Sequence, residues 1–515
     1  MKGWGKRILT GLLAGLTLSG SSPPAPVDLL LRGGTVYPGD ARPFVGDVAI
    51  VGDRIVATVR NVKVSAARVV DARGMIVAPG FIDPHTHAGE MLAASDARTR
   101  LALPFLLQGV TSVVIGNDGG GGPEVARTLG GLHAIGVNVA THVGFGPVRR
   151  QVIGDANRAP TDAELAAMSA AVRAAMCEGA IGLSTGLFYA PQSFARTAEV
   201  AALAREAGAL GGIYDTHLRD ESSYSIGLEA AVDEALEIGR QGRVPVNISH
   251  IKALGRDVWG RAPAVIARIE AARATGQRVT ADQYPWDASG TSLVAALVPV
   301  AAQAGGRAAM LARLDDPAVR AGMAGNLARR GGAAKLLVTE GPAAGRTLAE
   351  LPPRADPIAA AIAVIRRGDA AAVSFNMDDR DIAAFMSRPW VMTGSDASLG
   401  HPRVYGSFAR KYDVYVRQRR VLRVGEFIRR SATLAADTLG LADRGRIAPG
   451  KRADIVVFDP KLYAARATYA RPTLPAVGVR AVIVNGRIAV ENGRATGVAA
   501  GQPLRHRPPA GACPR

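Results

Sequence analysis

Short apolar segments alternate with alanine-rich segments through the middle of the chain. Eight apolar segments qualify as strands: MIVAPGFIDPHTH, VTSVVIGND, VNVATHVG, AIGLSTGL, GGIYDTHL, VPVNISHI, RVTADQYP and WVMTGSD. Strands that alternate with helical patterns are typical of βαβ units and a parallel sheet. Eight such units over residues 76–440 predict a (β/α)8 TIM barrel, with an open doubly wound sheet as the alternative. Residues 300–375 exceed the length of one unit, which predicts an insertion there.

A second pattern, of short alternating strands and turns, occupies both ends of the chain. It covers residues 26–75, as in GDVAIVGDRIVATV, and residues 441–497, as in VRAVIVNGRIAVENGR. Because chain termini often lie close together, we expect these two stretches to pair into one small β-sandwich domain. The Pro-rich residues 498–515 are expected to form a flexible tail.

The first 25 residues have the pattern of a targeting segment. Lys2, Lys6 and Arg7 precede the apolar run ILTGLLAGLTL, and the small residues of GSSPPAP follow it. This order indicates a secretory signal peptide, and the apolar run is too short for a comfortable membrane span. The alternative is an uncleaved anchor. A signal peptide would place the mature protein in the periplasm or outside a bacterial cell, without stable membrane association.

Charge and cysteine content narrow the function classes. The formal net charge is +18, a balance that can indicate binding to nucleic acid or anionic membranes. Here the excess is mostly arginine spread along the chain, without basic runs interleaved with aromatic residues, so nucleic-acid binding is not expected. The two cysteines, Cys177 and Cys513, indicate neither a disulfide framework nor a CxxC metal motif.

Most of the predicted strands end on a polar residue. In a barrel the carboxyl ends of the strands converge, so these residues are expected to meet at one site. They are His85, His87, Asp118, His217, His250, Tyr284 and Asp396. A lone histidine is usually structural, but four of the eight histidines lie at these ends, and His85 and His87 share a face. The pattern predicts a metal site, since imidazole suits zinc and neighbouring transition metals. The other histidines are His142, which is ambiguous, and His133, His401 and His506, which have no such setting.

Asp396, in MTGSDA, ends the last predicted strand. Its ordinary role would be to cap the next helix. Beside a metal-activated water it could instead accept a proton and then deliver it. A metal, a water molecule and one such carboxylate suffice to hydrolyse an amide.

Several motifs together carry a family resemblance. FIDPHTH, the spaced histidines, the GSDA aspartate and GRIAPGKRADIVVFDP resemble the amidohydrolase superfamily. Within it, the resemblance is to the N-acyl-D-amino-acid deacylases, or D-aminoacylases, in GVTSVVIGN, STGLFYAP, THLRDE, ISHIKALG, ADQYPW, SFNM and HPRVYGSF. It covers roughly residues 27–495. It implies a barrel with a β-sandwich built from both chain ends, a zinc site, and hydrolysis of N-acyl-D-amino acids or D-residue dipeptides.

The resemblance also implies roles for single residues. A tight metal position would use His217 and His250, and a weaker second position would use His85 and His87. Asp396 would be the general base that becomes the acid for the leaving amine. A small substrate with a free carboxylate would be bound by Lys252, Arg403, Tyr189, Tyr284 and Ser289, with the arginine fork clamping the carboxylate. For the lysine the alternative is a surface charge, and for the two tyrosines it is packing at the barrel rim.

The segment Gly116–Gly119 departs from the resembled family. Asp118 stands where that family has a cysteine in GNCG. A carboxylate can also ligate and bridge metals, so we predict that Asp118 is a metal ligand, with a possible change of metal preference. The four glycines of Gly119–Gly122 lack the Lys-Ser/Thr pair of a phosphate-binding loop. They are interpreted as letting the backbone pass close to the metal centre.

Two other functions remain open at this point. One is a different amidohydrolase reaction, such as opening a cyclic amide or cleaving an L-dipeptide. The other is a non-catalytic binding protein on the same fold, which the full set of histidines and Asp396 disfavours. Arg403 and Lys252 favour deacylation of an N-acyl amino acid over the other amidohydrolase reaction, because a substrate without a free carboxylate would not need both.

Overall fold

A computed structural model describes residues 26–398 and 400–514 of the protein. The expected signal peptide, residues 1–25, lies outside the described residues. Among the helices of the described part, none combines the length and the apolar character that a membrane span requires.

The centre of the molecule is a set of parallel strands, which we call the parallel strand set. In chain order the strands are Phe81–Asp83, Val110–Ile115, Asn138–Thr141 with Val143–Gly144, Gly182–Gly186, Ile213–His217, Val246–Ile248, Val279–Gln283 and Val391–Thr393. Each one overlaps one of the eight segments predicted as strands. Most of their residues are buried, as expected for parallel strands covered on both faces.

The order of these strands in space follows their order in the chain. One sheet holds the first three, and a second runs from Val143–Gly144 to Val391–Thr393, with every pairing parallel. Backbone beyond the first strand also meets backbone beyond the last one. Thr86 and Ala397 form a parallel bridge, and the Asp396 amide donates to the His85 carbonyl at 2.9 Å. The first and last strands are therefore neighbours at their carboxyl ends.

Helices connect the strands and cover their outer faces. The α-helices are Gly89–Ala93, Ala97–Arg100, Leu103–Leu106, Val125–Gly130, Phe145–Ile153, Asp162–Cys177, Thr197–Ala209, Leu228–Gly242, Ala262–Ala274, Leu293–Leu297, Gly306–Arg313, Pro317–Arg329, Pro357–Arg366, Asp379–Met386, Arg403–Arg410, Val424–Ile428 and Leu434–Thr438, and π-helical turns cover Lys411–Gln418 and Arg429–Thr433. Local signals explain single helices. Thr161 and Glu164 form a capping box at the start of Asp162–Cys177. Leu228–Gly242 buries an apolar stripe that includes Leu228, Val232 and Leu236.

Both ends of the chain form a single nine-stranded sheet, as predicted from their pattern. Its strands are Val27–Val36, Phe44–Val51, Arg54–Val59, Ala66–Asp71, Ile76–Pro79, Ile455–Phe458, Val479–Val484, Arg487–Glu491 and Arg494–Ala495. Ile76–Pro79 joins the two halves, because it pairs in parallel with the first strand and antiparallel with Ile455–Phe458. The N-terminal part of this sheet therefore extends past the predicted boundary at residue 75. The single predicted strand MIVAPGFIDPHTH divides at Gly80 between the two sheets.

The predicted insertion is present but begins earlier than residue 300. It opens with the strand Ser289–Ser292, which pairs antiparallel with Ala371–Ser374, and Leu336–Val338 pairs with the other edge of Ala371–Ser374. Residues between these strands bury an apolar cluster of their own that includes Leu293, Leu314 and Ile362. Ser289 follows the strand Val279–Gln283 by only a few residues, so the insertion lies directly above the carboxyl ends of the parallel strand set.

The prediction of a flexible tail at residues 498–515 is wrong. Pro503 bridges to Val139, and the amide of Leu504 donates to the carbonyl of Val139 at 2.7 Å. A disulfide joins Cys177 to Cys513 and fixes the far end of the segment to the helix Asp162–Cys177. The partners of this segment lie hundreds of residues away in sequence, which is why composition alone suggested a free tail.

Candidate metal centre and substrate cavity

The residues predicted to meet at the strand ends do so in the structure. His85 and His87 follow the strand Phe81–Asp83, Asp118 follows Val110–Ile115, His217 ends Ile213–His217, His250 follows Val246–Ile248 and Asp396 follows Val391–Thr393. The rings of His85 and His250 have centroids 4.7 Å apart, and those of His217 and His250 are 4.5 Å apart. The parallel strand set thus gathers four histidines and two aspartates from distant parts of the chain.

Asp118 lies at the centre of this group. Its Oδ1 atom is 3.4 Å from Nε2 of His85 and 3.4 Å from Nε2 of His250. The same oxygen is 3.7 Å from Nδ1 of His217, while Oδ2 is 3.4 Å from Nε2 of His87. One carboxylate therefore faces all four histidines, with Oδ1 toward three of them and Oδ2 toward His87.

The donor atoms divide into two sets that share Asp118. His85, His87, Asp118 and Asp396 form one set, and Asp118, His217 and His250 form the other, with ligand atoms within 4.8 Å of one another in each. Both ring nitrogens of His85, Nδ1 of His217 and Oδ1 of Asp118 are buried, and none has a hydrogen-bond partner within the described residues. Buried polar atoms are normally paired, so these orphaned atoms fit one or two metal ions as their partners.

The charge of the group also fits a cation. Burial lowers the pKa of His217, which favours the neutral imidazole that binds metals. Burial also acts to lower the pKa of His87 and His250, but nearby carboxylates outweigh it and raise these values to about 9 and about 10. The same negative field would stabilise a divalent ion, whose binding displaces the imidazole protons.

Three of these residues adopt a backbone conformation that L-residues rarely use. Asp118, His250 and Asp396 have φ angles of 54°, 36° and 50°. Such strained positions persist only where their surroundings fix them, and they cluster at functional sites. At His250 the fixing contact is the backbone amide, which donates to Oδ1 of buried Asp282 at 3.0 Å.

The glycines beside Asp118 are required by close packing, as interpreted from the sequence. A Cβ atom on Gly121 would lie 2.2 Å from the carbonyl oxygen of His142, and one on Gly144 would lie 2.4 Å from the carbonyl oxygen of Gly119. Gly119 itself has a φ of 70° and packs against the side chain of Gln192. Side chains at these positions would push the loop that carries Asp118 away from the histidines.

Asp396 connects the ligand group, meaning the four histidines and Asp118, to Arg403. Its Oδ1 atom is 3.2 Å from Nε2 of His87, and its Oδ2 atom accepts from Nη1 of Arg403 at 2.7 Å. Burial favours protonation of Asp396, but Arg403 outweighs it and holds the pKa of this carboxyl well below its usual range. Asp396 is therefore an ionised carboxylate at the edge of the ligand group.

The five predicted substrate residues all line one cavity, of about 360 Å³, that opens over the ligand group. They are Lys252, Arg403, Tyr189, Tyr284 and Ser289. Lys252 is not a surface charge, because its ammonium is buried and donates to Glu221 at 2.6 Å. The guanidinium of Arg403 lies 5.1 Å from the ring centroid of Tyr284. These five residues thus bring two cations and two phenols to the cavity wall above the candidate metal-ligand atoms.

Sequence reasoning missed Glu221, which stands within THLRDE. Its Oε1 atom is 3.1 Å from Nδ1 of His250, and its Oε2 atom is 3.7 Å from Nε2 of His217. Nζ of Lys252 donates to Glu221 at 2.6 Å and lies 2.7 Å from Nδ1 of His250, so it can donate to that outer ring nitrogen. Glu221 and Lys252 together therefore orient the His250 ring. Its position four residues after His217 was the available signal.

His401 was also missed, because no strand ends at it. It is buried in the cavity wall, where Nδ1 accepts from the amide of Arg403 at 3.1 Å and Nε2 lies 3.1 Å from the carbonyl oxygen of Ala288. Burial lowers the pKa of His401 well below its ordinary value. A neutral His401 therefore orients the first turn of the helix that carries Arg403.

Fold and site together are those of an α/β protein with a metal-ligand group at the carboxyl ends of parallel strands. The sequence model of the amidohydrolase family matches residues 68–490, and the chain belongs to that family.

Among its relatives, the D-aminoacylase of Alcaligenes xylosoxydans xylosoxydans is 35% identical over 93% of this chain and 98% of that protein. An N-acyl-D-glutamate deacylase of the same organism is 34% identical over 89% of this chain and 93% of that protein.

Solved structures give the same result. A crystal structure of D-aminoacylase has a TM-score of 0.80 at 34% identity, covering 93% of this chain and all of that one. The N-acyl-D-glutamate deacylase of Bordetella bronchiseptica, complexed with zinc and a phosphonate mimic of the tetrahedral intermediate, has a TM-score of 0.79 at 32% identity with the same coverage. A dihydropyrimidinase of Brevibacillus agri, at 17% identity and a TM-score of 0.59, shares the fold.

Proposed function

We propose that this protein is a metal-dependent hydrolase of N-acyl-D-amino acids or D-residue dipeptides, which releases a carboxylate and a D-amino acid. The observation that carries the proposal is the single carboxylate of Asp118 between two pairs of histidines, beside Asp396 and Arg403. The relatives named D-aminoacylase and N-acyl-D-glutamate deacylase support the substrate class. In this proposal the parallel strand set closes as a (β/α)8 barrel, and the nine-stranded sheet folds as a β-sandwich.

We assign zinc, as one or two ions, to the Asp118-centred group. His217 and His250 would hold one ion, His85 and His87 would hold a second, weaker one, and Asp118 would contribute to the same group. When bound, such an ion supplies Lewis-acid activation of the amide carbonyl and of water. The zinc complex of the Bordetella deacylase supports the choice of metal.

Asp396 transfers a proton from the attacking water to the leaving nitrogen. Because Arg403 keeps it ionised, Asp396 can remove a proton from the attacking water as the water adds to the amide carbon. The same carboxyl then delivers that proton to the leaving nitrogen when the carbon–nitrogen bond breaks. Arg403 holds Oδ2 of Asp396, which leaves Oδ1 facing the candidate metal ligands, where the proton is transferred.

Arg403, Lys252 and the cavity hydroxyls orient the substrate. The guanidinium fork suits the free carboxylate of an N-acyl amino acid. Burial raises the pKa of Tyr189 and of Tyr284 well above the ordinary value, so both phenols keep their protons and can donate to carboxylate or oxyanion oxygens. Ser289, the first residue of the strand that opens the insertion, adds a hydroxyl to the cavity wall.

We also propose that the protein acts outside the cytoplasm. The pattern of residues 1–25 supports export, and the Cys177–Cys513 disulfide suits an oxidising compartment. The binding partner of the protein in this proposal is a small substrate with a free carboxylate and not a nucleic acid.

A panel of amides tests the reaction. It contains N-acetyl-D- and N-acetyl-L-amino acids as matched pairs, a D-residue dipeptide, an L-dipeptide and a dihydropyrimidine. We expect hydrolysis of the D-amides, with the L-enantiomers slower by at least tenfold, roughly 1.4 kcal/mol in the barrier. Equal rates for both enantiomers, or activity confined to L-dipeptides or the cyclic amide, would overturn the proposal.

A further inference from the structure

One buried arginine in the cavity wall has no acidic partner among the residues that the structure describes. Five arginines are buried among the residues that the structure describes, and four of them have a carboxylate within 4.0 Å. The four pairs are Arg149 with Glu199, Arg403 with Asp396, Arg430 with Glu426, and Arg444 with Asp454. The fifth, Arg330, is 2% exposed and has no such carboxylate within the described part of the chain. A buried charge without a counter-charge is costly, so its retention calls for an explanation.

The guanidinium of Arg330 is held in place from one side. Nε donates to the carbonyl of Ala296 at 3.0 Å, and Nη1 donates to Oγ of Ser374 at 3.0 Å. Its central carbon lies 5.6 Å from the ring centroid of Tyr224. Nη2 has no acceptor within the described residues, and Arg330 lines the same cavity as Arg403 and the ligand histidines.

Two further polar groups of that cavity are unsatisfied. The hydroxyls of Tyr224 and Thr339 are buried and have no hydrogen-bond partner within the described residues, and both residues line the cavity beside Arg330. The ring of Tyr224 packs 5.6 Å from that of Phe188, which stacks 5.8 Å from His217. Among the described residues, one guanidinium nitrogen and two hydroxyls therefore lack partners on the insertion side of the cavity, near the candidate metal ligands.

We propose that Arg330 binds a second carboxylate of the substrate, so that the preferred substrates are dianionic N-acyl-D-amino acids. This inference rests on the proposed hydrolysis and names its substrate class. The first carboxylate belongs to Arg403, and the second supplies the acceptor that Nη2 of Arg330 lacks. Tyr224 and Thr339 donate to the remaining oxygen lone pairs.

The second carboxylate can stand on either side of the amide bond. It can be the side chain of the amino acid, as in N-acetyl-D-glutamate, or the end of the acyl group, as in N-succinyl-D-leucine. In either case the group proposed to bind Arg330 is a carboxylate. Neutral compounds of similar size, N-acetyl-D-glutamine and N-butyryl-D-leucine, serve as the matched controls for the two arms.

The experiment compares kcat and KM for these four substrates in the wild type, in Arg330→Met and in Arg329→Met. Arg329 also lies over Tyr224, at 5.9 Å from the ring centroid, but it does not line the cavity. In the wild type we expect one dianionic substrate to exceed its neutral control on the order of 10- to 100-fold in kcat/KM. Arg330→Met should bring the ratio of dianionic to neutral kcat/KM toward one, through a higher KM for the dianionic substrate, while Arg329→Met should keep the ratio of the wild type.

The wild-type comparison decides the inference even if Arg330→Met fails to fold. Equal or better turnover of both neutral controls would overturn it, as would an advantage that survives in Arg330→Met. Calorimetry on Asp396→Asn measures binding of the four compounds without turnover. It therefore distinguishes failure of the proposed hydrolysis from failure of the Arg330 assignment. Charge-dependent binding without wild-type turnover would overturn the proposed reaction alone, whereas turnover without charge preference would overturn the Arg330 assignment alone.

Discussion

The Oδ1 atom of Asp118 lies 3.4 Å from Nε2 of His250, and its Oδ2 atom lies 3.4 Å from Nε2 of His87. One side chain thus reaches across both sets of candidate ligands. Its backbone has a φ of 54°, and the close packing of the neighbouring glycines fixes the loop in that strained conformation. If Asp118 is a ligand, as we predict, this chain offers a carboxylate to both candidate sets.

Replacing Asp118 tests its role as a metal ligand. We expect Asp118→Ala to lower metal affinity by at least the roughly 10- to 100-fold that loss of an outer partner costs. Metal per chain, measured by mass spectrometry after dialysis, should fall together with activity. Asp118→Cys is the matched control and should retain metal, because a thiolate also ligates zinc. Full metal content and activity in Asp118→Ala would show that the carboxylate is not a ligand.

Asp396→Asn removes the proton carrier and keeps the size of the side chain. We expect kcat to fall by ~10²- to 10⁴-fold. Metal at the position of His217 and His250 should be retained, because these two residues and Asp118 remain. The measurements are steady-state kinetics and metal analysis of the same sample. Unchanged kcat in a fully loaded variant would rule out the proton transfer assigned to Asp396.

Arg403 should affect both substrate binding and the pH profile. Arg403→Met should raise KM for an N-acyl amino acid by roughly 10- to 100-fold. Because Arg403 holds the pKa of Asp396 low, its removal lets that pKa rise. Activity of the variant should therefore be lost at a higher pH than in the wild type as the solution is acidified. Arg403→Lys keeps the charge and should show the smaller pH shift; an acid limb that is identical in all three proteins would contradict the coupling.

The C-terminal segment should contribute to stability through the disulfide between Cys177 and Cys513. Replacing both cysteines by serine should lower the free energy of unfolding by about 2–5 kcal/mol. Thermal unfolding with and without a reductant provides the measurement. The reductant should lower the Tm of the wild type but not that of the double variant. If neither the reductant nor the substitution moved the Tm, the segment would owe its position to its other contacts.

Much of the fold follows from local pattern. All eight strands of the parallel set were predicted because each is a short apolar run, and alanine-rich helical segments alternate with these runs. The pairing of both chain ends into one sheet also followed from their alternating pattern. Family membership followed from motifs such as FIDPHTH and HPRVYGSF, which keep chemical residues at fixed positions after the strands.

Features that depend on contacts distant in the sequence did not follow from the pattern. Glu221 looks like one more charged residue of a loop until His250 is seen 3.1 Å away. Arg330 is one of many arginines in the chain, and what distinguishes it is burial with no carboxylate nearby in the described part of the structure. Cys513 shows no sign of its pairing with Cys177, because their separation of 336 residues carries no periodic signal.

The most direct test of the account is metal removal and return. The purified protein is stripped with a chelator, its metal content is measured, and hydrolysis of an N-acetyl-D-amino acid is followed before and after zinc is added. The account predicts negligible hydrolysis in the stripped protein and recovery on zinc addition in the wild type but not in Asp118→Ala. Undiminished hydrolysis by protein shown to be free of metal would contradict it.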